Sequence, residues 1–280
     1  MTSGDASEAD SGSAAGAGAP PTFDTSVASQ ARMYDYLLGG KDNYAADREA
    51  VEQALKIWPD MPFTARANRA FLGRTIRYLA GDAGVRQFLD IGTGIPTAGN
   101  THQVAQAIAP ESRVVYVDYD PVVLAHARAL LTSSEEGATD YIDADLRNAG
   151  AILSQASELL DFTQPVAVSL IAILNAIPDS DDPYGIVATL MDAVPAGSYL
   201  TLTHLASDLL GQDTQDGIDD INSQTMRMRF TSRNREQVAR FFEGTELVEP
   251  GLVRVEEWRP DPAASGAGRS SLWCAVGRKR

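Results

Sequence analysis

The sequence predicts an α/β fold with a mostly parallel sheet of seven strands, and two observations carry this prediction. After residue 86, short apolar runs rich in β-branched residues alternate with helical stretches, which is typical of a parallel sheet covered by helices on both faces. The first run ends in an acid and enters a glycine-containing loop, at the edge where open α/β sheets bind ligands. The 280 residues, 44% of them hydrophobic, suffice for a sizeable buried core.

The N-terminal part of the chain is predicted to be a tail followed by helices. Residues 1–22 are mostly Ser, Gly, Ala and Asp, so the entropy cost of ordering them would go uncompensated and we expect a disordered tail. Residues 23–80 are predicted to form an N-terminal helical cap, with helices near 27–38, 45–55 and 64–79. Residues 81–280 are predicted to form the ligand-binding domain.

The sheet is predicted from the apolar runs of this second part. Parallel strands are expected near 87–91, 113–118, 140–142, 166–174 and 198–204, with helices near 101–108, 121–131, 149–160 and 183–194 between them. The second of these helices has a clear start, because Asp120 can cap its free amides and Pro121 supplies a preset φ. After a polar stretch at 208–223 and a helix near 235–242, strands near 252–257 and 272–277 are predicted to pair as an antiparallel hairpin.

Composition excludes several kinds of partner. The net charge of -15 repels phosphate backbones, so we expect no nucleic acid partner and favour a neutral or cationic small molecule. The N-terminal residues lack the basic and apolar regions of a secretory signal, and no run is apolar enough to span a bilayer, so no membrane partner is expected. A single cysteine, Cys274, fits a reducing cytoplasm. Three histidines and one cysteine form no visible metal-ligand cluster.

The loop after the first strand is the first candidate for ligand binding. It begins at Asp90 and continues through Gly92, Thr93 and Gly94. Glycine lets the backbone approach a ligand closely and adopt φ > 0 without steric cost. The alternative is that these glycines only turn the chain.

Acids at the ends of the next two strands extend this candidate site. The carboxylate of Asp118 can accept both hydroxyls of a ribose, and Tyr119 beside it can cover an adenine face; alternatively, Asp118 is a solvated strand end and Tyr119 packs ordinarily. Asp145 can accept the adenine amino group, which leaves the Leu146 amide for a ring nitrogen. Asp145 can equally cap the next helix.

The sequence resembles a known family in several longer segments. These are YDYLLGGKDN at 34–43, RANR at 66–69, residues 87–100, DPYG at 182–185, and residues 250–260, which begin with PGL and end with WRP. Together they are similar to class I S-adenosylmethionine-dependent methyltransferases with a Rossmann-like fold. They are most similar to a bacterial family described as S-adenosyl methyltransferase-like and of unknown function.

The resemblance implies a set of cofactor-binding residues. It places the methionine end of S-adenosylmethionine on the loop from Asp90 to Gly94, the ribose on Asp118, and the adenine on Tyr119, Asp145 and Leu146. It also implies that the segment 34–43 closes over the cofactor, with Tyr34 or Asn43 in contact. The chain has Ile95-Pro96-Thr97 where class I loops usually carry a further glycine, which puts the shape of the loop after Gly94 in doubt.

Catalytic residues are not identified by the sequence. A reactive sulfonium needs mainly an aligned nucleophile, so a base is optional. Asn175 lies near the end of the fourth strand and can position a substrate, but it cannot take a proton. His204 is either a base or, more ordinarily, a structural hydrogen-bonding residue. Lys41 and Arg69 are either partners of the cofactor carboxylate or solvated charges.

The predicted function is therefore transfer of a methyl group from S-adenosylmethionine to an oxygen or nitrogen of a small-molecule acceptor. The polar stretch 208–223, with Met226 and Met228, forms either a solvated loop or a substrate lid. One alternative function is a cofactor-binding sensor or partner protein without transferase activity. The other is an NAD(P)-dependent oxidoreductase, which is disfavoured because Thr97 stands where dinucleotide-binding proteins want a third glycine.

Overall fold

The protein is described by a computed structural model that covers residues 24–130, 132–224, 230–261 and 268–280. The tail predicted at 1–22, and the lid residues Met226 and Met228, lie outside the described residues. None of the helices in the described part combines the length and the apolar character needed to cross a membrane.

The sheet confirms the predicted α/β fold. Its strands are β1 Gln87–Ile91, β2 Arg113–Asp118, β3 Ala138–Asp143, β4 Ala167–Ile171, β5 Tyr199–Leu205, β6 Thr245–Leu247, β7 Val253–Arg254 and β8 Leu272–Lys279. The strand order is β3-β2-β1-β4-β5-β8-β6, with β7 also paired to β8. The pairs among β1 to β5 are parallel, and β8 runs antiparallel to β5, β6 and β7.

The helices lie before, between and after these strands. They are α1 Gln30–Leu37, α2 Ala45–Ile57, α3 Met61–Arg77, α4 Thr101–Gln106, α5 Pro121–Leu130, α6 Ala149–Ala156, α7 Pro183–Asp192, α8 Gln212–Gln224 and α9 Arg235–Ala239. The predicted start of α5 is confirmed, since the Asp120 carboxylate accepts the Val122 amide at 2.8 Å directly before Pro121. An asparagine or aspartate side chain also caps α6, α7 and α9, which satisfies amides that the first helical turn leaves free.

Two strand predictions differ from the structure. Among the described residues the sheet has eight strands, one more than predicted, since the short edge strand β6 was not expected. The strand expected at 252–257 pairs only at Val253–Arg254. The strand expected at 166–174 ends at Ile171, because Ala172 adopts φ 54 and a 3-10 turn follows at Leu174–Ala176. A left-handed conformation lies outside the β region, so the strand ends there.

The polar stretch at 208–223, for which a solvated loop or a substrate lid was expected, is largely helical. It forms α8, where Ile218 is buried and Gly217 faces the side chain of Ile57. Thr214 Oγ1 also donates to the Ile57 carbonyl at 3.1 Å. The stretch folds as a helix because one of its faces packs on the end of α2, although most of its residues are acidic or polar.

The N-terminal helices share a core with the sheet. Phe71, Ile76 and Leu79, from α3 and the π-helical turn after it, are fully buried in a cluster that includes Phe88 of β1 and Val276 of β8. Helices α6 and α7 cover the opposite face with a second apolar cluster. Because α3 packs directly on the strands and α1 contacts α3, the N-terminal helices are joined to the sheet through α3.

Candidate functional site

Two adjoining cavities lie at the carboxyl ends of the parallel strands. The first has a volume of about 190 Å³ and extends toward α1 and α3, and the second, of about 750 Å³, extends toward α5 and the turn after β3. They share a set of lining residues: Ser29, Gln30, Gly92, Asp118, Tyr119, Asp120 and Ile173. These two cavities form the candidate site, at the edge where ligands of open α/β sheets bind.

The glycine loop borders both cavities, since Gly92 lines the two of them and Gly94 lines the first. Gly92 and Gly94 have φ 77 and 63, a region that side chains disfavour. A Cβ on Gly92 would lie only 2.7 Å from the Ile173 side chain, so this position requires glycine for space as well as for conformation. Thr93 lines the first cavity, and its hydroxyl is 2.7 Å from the Tyr141 hydroxyl. The loop thus presents backbone, with little side chain, to a ligand.

Asp118 lies at the junction of the cavities and is 8% exposed. One carboxylate oxygen accepts the Gly94 amide at 2.9 Å and the other accepts the Asp120 amide at 3.0 Å. Burial raises the pKa of the Asp118 carboxyl, and these amide hydrogen bonds act in the opposite direction. Each oxygen retains a lone pair for a further donor such as a ribose hydroxyl.

Asp90 lines the first cavity below the glycine loop. Its carboxylate accepts the Thr101 hydroxyl at 2.6 Å, and burial raises the pKa of Asp90 to about 6. Arg69 of α3 lines the same cavity and donates to Asn100 Oδ1 at 3.0 Å. Lys41 lines neither cavity. Of these two residues, for which pairing with a cofactor carboxylate was one alternative, only Arg69 therefore lies at the site.

The residues predicted to hold an adenine lie around the second cavity. Tyr119 lines both cavities and is 61% exposed, so one face of its ring is accessible. Asp145 caps the turn after β3 through the Arg147 amide at 2.8 Å and also pairs with the Arg147 guanidinium at 3.1 Å. Leu146 is buried and lines this cavity. The capping role considered for Asp145 is thus present, and its carboxylate still borders the cavity.

The two N-terminal candidates differ in position. Tyr34 lines the first cavity, where its hydroxyl donates to the Ala65 carbonyl at 3.0 Å and accepts from the Asn68 amide at 2.9 Å. Asn43 lines neither cavity, and its amide bonds Asp35 at 2.9 Å and the Gly40 carbonyl at 3.1 Å. Of the two alternatives, Tyr34 therefore borders the site in this structure, whereas the polar groups of Asn43 brace the turn between α1 and α2.

His204 has the structural hydrogen-bonding role, the more ordinary of the two alternatives considered for it. It is fully buried and lines neither cavity. Its Nδ1 lies 2.9 Å from the Leu205 carbonyl and its Nε2 lies 2.6 Å from a guanidinium nitrogen of Arg233. Burial, together with the adjacent arginine charge, lowers the pKa of His204 to about 3. Both ring nitrogens are therefore occupied by the fold.

Several lining residues were not predicted as site residues. Ser29 and Gln30 of the α1 region border both cavities, and Trp58 and Asn68 border the first. The segment 66–69 contributed to the family resemblance, which was the available signal for Asn68. Asn175 lines the first cavity, as a substrate-positioning role requires. Among the described residues, no group of His, Cys, Asp and Glu has an arrangement that could hold a metal ion.

The chain is similar to known proteins over most of its length. Residues 16–280 match the model of a family described as S-adenosyl methyltransferase. A DUF574 family protein from Streptomyces avermitilis MA-4680 has 44% sequence identity and a TM-score of 0.88, over 92% of this chain and 99% of that one. A candidate methyltransferase from Thermobifida fusca YX has 39% identity and a TM-score of 0.83, over 92% of this chain and 97% of that one. No curated protein sequence matches the chain.

These similarities agree with the geometry of the site. The parallel sheet ends in a glycine loop beside a buried acid, and the family match extends over the elements that build both features. The chain therefore belongs to the S-adenosyl methyltransferase family, whose cofactor is S-adenosylmethionine.

Proposed function

We propose that this protein transfers the methyl group of S-adenosylmethionine to a nitrogen or oxygen atom of a small, uncharged or cationic molecule. The observation that carries this proposal is the junction of the two cavities at Gly92, Asp118 and Tyr119. A cofactor held at the junction leaves the apolar end of the first cavity for an acceptor. Apolar pockets with few polar groups are typical sites for small molecules.

The residues at the junction fit the nucleoside part of the cofactor. Ribose hydroxyls are hydrogen-bond donors, and Asp118 offers carboxylate lone pairs beside the glycine loop. An adenine ring would lie against Tyr119, with Asp145 and Leu146 lining the cavity around its edge. Aromatic contact contributes roughly 1 kcal/mol beyond the buried area. This assignment uses residues that share one edge of the sheet.

The first cavity fits the methionine part of the cofactor. The loop at Gly92 to Gly94 leaves room for backbone contact. Asp90 supplies a carboxylate for the amino group, and Arg69 supplies a guanidinium for the carboxylate. Tyr34 closes this side as part of the N-terminal helices.

The cofactor supplies an activated methyl group on a sulfonium, so the protein has to align the acceptor and exclude water. The α1 region contributes to both tasks. Ser29 and Gln30 line both cavities, and the Ser29 hydroxyl donates to the Asp120 carboxylate. This contact holds the start of α1 beside the junction, where we expect it to help to exclude water.

The charge of the chain and of the cavities supports an acceptor that is not anionic. The net charge is -15, and the first cavity is lined by Asp90, Asp118 and Asp120 against Arg69. Anionic molecules are repelled by this field, whereas neutral and cationic ones are not. The same field argues against nucleic acid as the acceptor.

The proposal is tested by calorimetric titration of the purified protein with S-adenosylmethionine and, separately, with NAD and NADP. We expect S-adenosylmethionine to bind at micromolar strength and the nicotinamide cofactors not to bind. Release of S-adenosylhomocysteine in the presence of a panel of small amines and alcohols would then show turnover. Tight binding without turnover on any acceptor class would favour a sensor instead, and binding of NAD alone would contradict the proposal.

A further inference from the structure

Arg233 lines neither cavity, yet its side chain is bound to the segment that forms a wall of both. This segment follows β4. Ile173 lines both cavities, whereas Ala176 and Ile177 line the second. Arg233 is 1% exposed. Because burying a guanidinium is costly unless its charge and its donors are paired, the partners of Arg233 indicate its role.

All five N–H donors of Arg233 have an acceptor. Nη1 donates to the Leu174 carbonyl at 3.2 Å and to Nε2 of His204 at 2.6 Å. Nη2 donates to the Ile177 carbonyl at 2.9 Å and to the Asp179 carboxylate at 2.6 Å. The same carboxylate accepts Nε at 3.2 Å. Three acceptors from one short segment thus meet one planar group, which fixes the segment in a single arrangement.

The backbone of Arg233 is itself fixed to the end of β5. Its amide donates to the Leu205 carbonyl at 2.9 Å, and its carbonyl accepts the Ser207 amide at 3.2 Å. Two residues earlier, the Thr231 amide donates to the Asn175 carbonyl at 2.7 Å. This stretch therefore ties the segment after β4 to the end of the neighbouring strand β5.

The segment is in direct contact with the glycine loop. The side chain of Ile173 lies so close to Gly92 that an added Cβ there would be only 2.7 Å from it. Ile173 and Gly92 both line the two cavities. A displacement of about 1 Å is enough to impair a binding site strongly, so the junction of the cavities depends on where this segment is held.

The contacts of Arg233 require arginine and not only a positive charge. Its charge is paired with Asp179, and the rings of Tyr184 and Phe241 lie 5.9 and 5.5 Å from the guanidinium carbon. A lysine ammonium would keep the charge, but it has three donors and no planar fork. It cannot bond all the acceptors that the guanidinium bonds.

We propose that Arg233 is a positioning residue for cofactor binding, which holds residues 173–177 so that Ile173 stays against Gly92 and the cavities keep the shape that S-adenosylmethionine requires. Without Arg233 the segment would adopt several arrangements. Apparent affinity falls in proportion to the fraction of molecules that can bind. The inference goes beyond the proposed function, since it uses the cofactor of the family and does not depend on the methyl acceptor.

The test compares Arg233→Met with Arg74→Met in the full-length protein. Arg74 is a matched control, because it is 8% exposed and donates to the carbonyls of Val255 and Trp258. Neither Arg74 nor these partners line the two cavities. Both variants should be less stable in denaturant, because buried carbonyls lose their donors. By calorimetry we expect Arg233→Met to bind S-adenosylmethionine at least about tenfold more weakly than wild type, and Arg74→Met to stay within about twofold.

Two further measurements separate positioning from a general loss of stability. In Arg233→Lys, cofactor affinity should remain at least about fivefold below wild type. The amides of Ala176 and Ile177 bond within the segment, so their hydrogen exchange should quicken in Arg233→Met. The exchange of the β1 amides should change no more than in Arg74→Met.

Asp179→Ala decides the question if Arg233→Met does not fold, since the Asp179 side chain is 65% exposed. The variant removes the acceptor of Nε and of one Nη2 hydrogen. Cofactor affinity should therefore fall by about threefold or more, whereas the charge control Asp192→Ala, an exposed position on α7, should match wild type.

Wild-type affinity in a folded Arg233→Met, or in Asp179→Ala, overturns the inference. Equal losses of affinity in Arg233→Met and Arg74→Met also overturn it, because lower stability would then explain both. Full affinity in Arg233→Lys overturns it as well, since charge alone would suffice. Failure of the wild-type protein to bind S-adenosylmethionine is a separate result, which overturns the assignment of the two cavities and this inference with it.

Discussion

The carboxylate of Asp118 accepts a hydrogen bond from the backbone amide of Gly94 at 2.9 Å. This bond ties the loop after β1 to the end of β2, across neighbouring parallel strands. The other carboxylate oxygen accepts the Asp120 amide at 3.0 Å at the start of α5. One side chain thus fixes the relative positions of the glycine loop and α5, and the same side chain is the proposed ribose ligand.

Replacing Asp118 with alanine should therefore weaken cofactor binding strongly. The variant loses the acceptor for two ribose hydroxyls and the brace on Gly94 together. We expect the affinity for S-adenosylmethionine, measured by calorimetry, to fall by about 2–4 kcal/mol.

The matched control for this change is Asp143→Ala. Asp143 lies opposite Asp118 in the β2–β3 register but is exposed and lines neither cavity. The Asp143→Ala variant loses the same charge without a change at the site, so its affinity for S-adenosylmethionine should match that of the wild-type protein. Equal losses in both variants would mean that net charge matters and that the ribose assignment is wrong.

Replacing Gly92 with alanine should disturb both folding and binding. The residue has φ 77, and an added Cβ would lie 2.7 Å from the Ile173 side chain. We expect the free energy of unfolding to drop by about 1–3 kcal/mol and cofactor affinity to drop with it. Denaturant unfolding and calorimetry measure the two effects.

Gly150→Ala provides the comparison for Gly92. Gly150 lies in α6, and a Cβ there would meet no atom within 4 Å. Alanine favours helix over glycine, so stability should stay the same or rise by up to about 1 kcal/mol. If Gly92→Ala behaved like Gly150→Ala, the packing of Ile173 on the loop would not be as described.

The sequence was most informative where local pattern and tertiary structure agree. The strands β1 and β2 were predicted with their observed bounds, because each is a short, mainly apolar run between clear turn residues. The edge strand β6, with the sequence Thr-Glu-Leu, has no apolar pattern and exists because β8 offers it an edge. Helix α8 has few apolar residues and is stabilised by its packing on α2.

The candidate site could be predicted from the sequence only where the ends of the strands determine it. Asp90, Gly92 and Asp118 lie at the ends of strands whose order follows from the fold, so their meeting at one edge could be expected. The position of Asn43 depends on its hydrogen bond to Asp35 in the preceding helix. The position of His204 depends on its contact with Arg233, which lies 29 residues further along the chain. No periodicity or motif encodes such pairings.

Cofactor binding should depend on pH through Asp90. Burial raises the pKa of this carboxyl to about 6, so it is protonated below pH 6 and ionised above it. The ionised form attracts the cationic amino group, and we expect affinity for S-adenosylmethionine to fall between pH 7 and pH 5. Asp90→Asn should bind more weakly at pH 7.5 and lose most of this dependence in calorimetric titrations. An unchanged pH slope in Asp90→Asn would assign the dependence to another group.

Folding stability should depend on pH through His204. The pKa of this buried imidazole is lowered to about 3, below the ordinary value of 6.5. Between these two pH values the unfolded chain binds a proton that the folded chain does not. The contribution of His204 to stability is therefore fully present above pH 6.5 and decreases as the pH falls toward 3. The free energy of unfolding, measured in denaturant at a series of pH values, should decrease in the same direction.

His204→Gln isolates this effect. At pH 7.5 the variant should be less stable by about 1–3 kcal/mol, because Arg233 loses the ring nitrogen at 2.6 Å. Its stability should nevertheless fall less steeply with acid than that of wild type, since the proton-binding group is absent from the unfolded chain. His126→Gln, a change on the partly exposed helix α5, should keep the wild-type slope. Parallel slopes for wild type and His204→Gln would mean that His204 is already protonated in the folded protein, which its contact with the Arg233 guanidinium argues against.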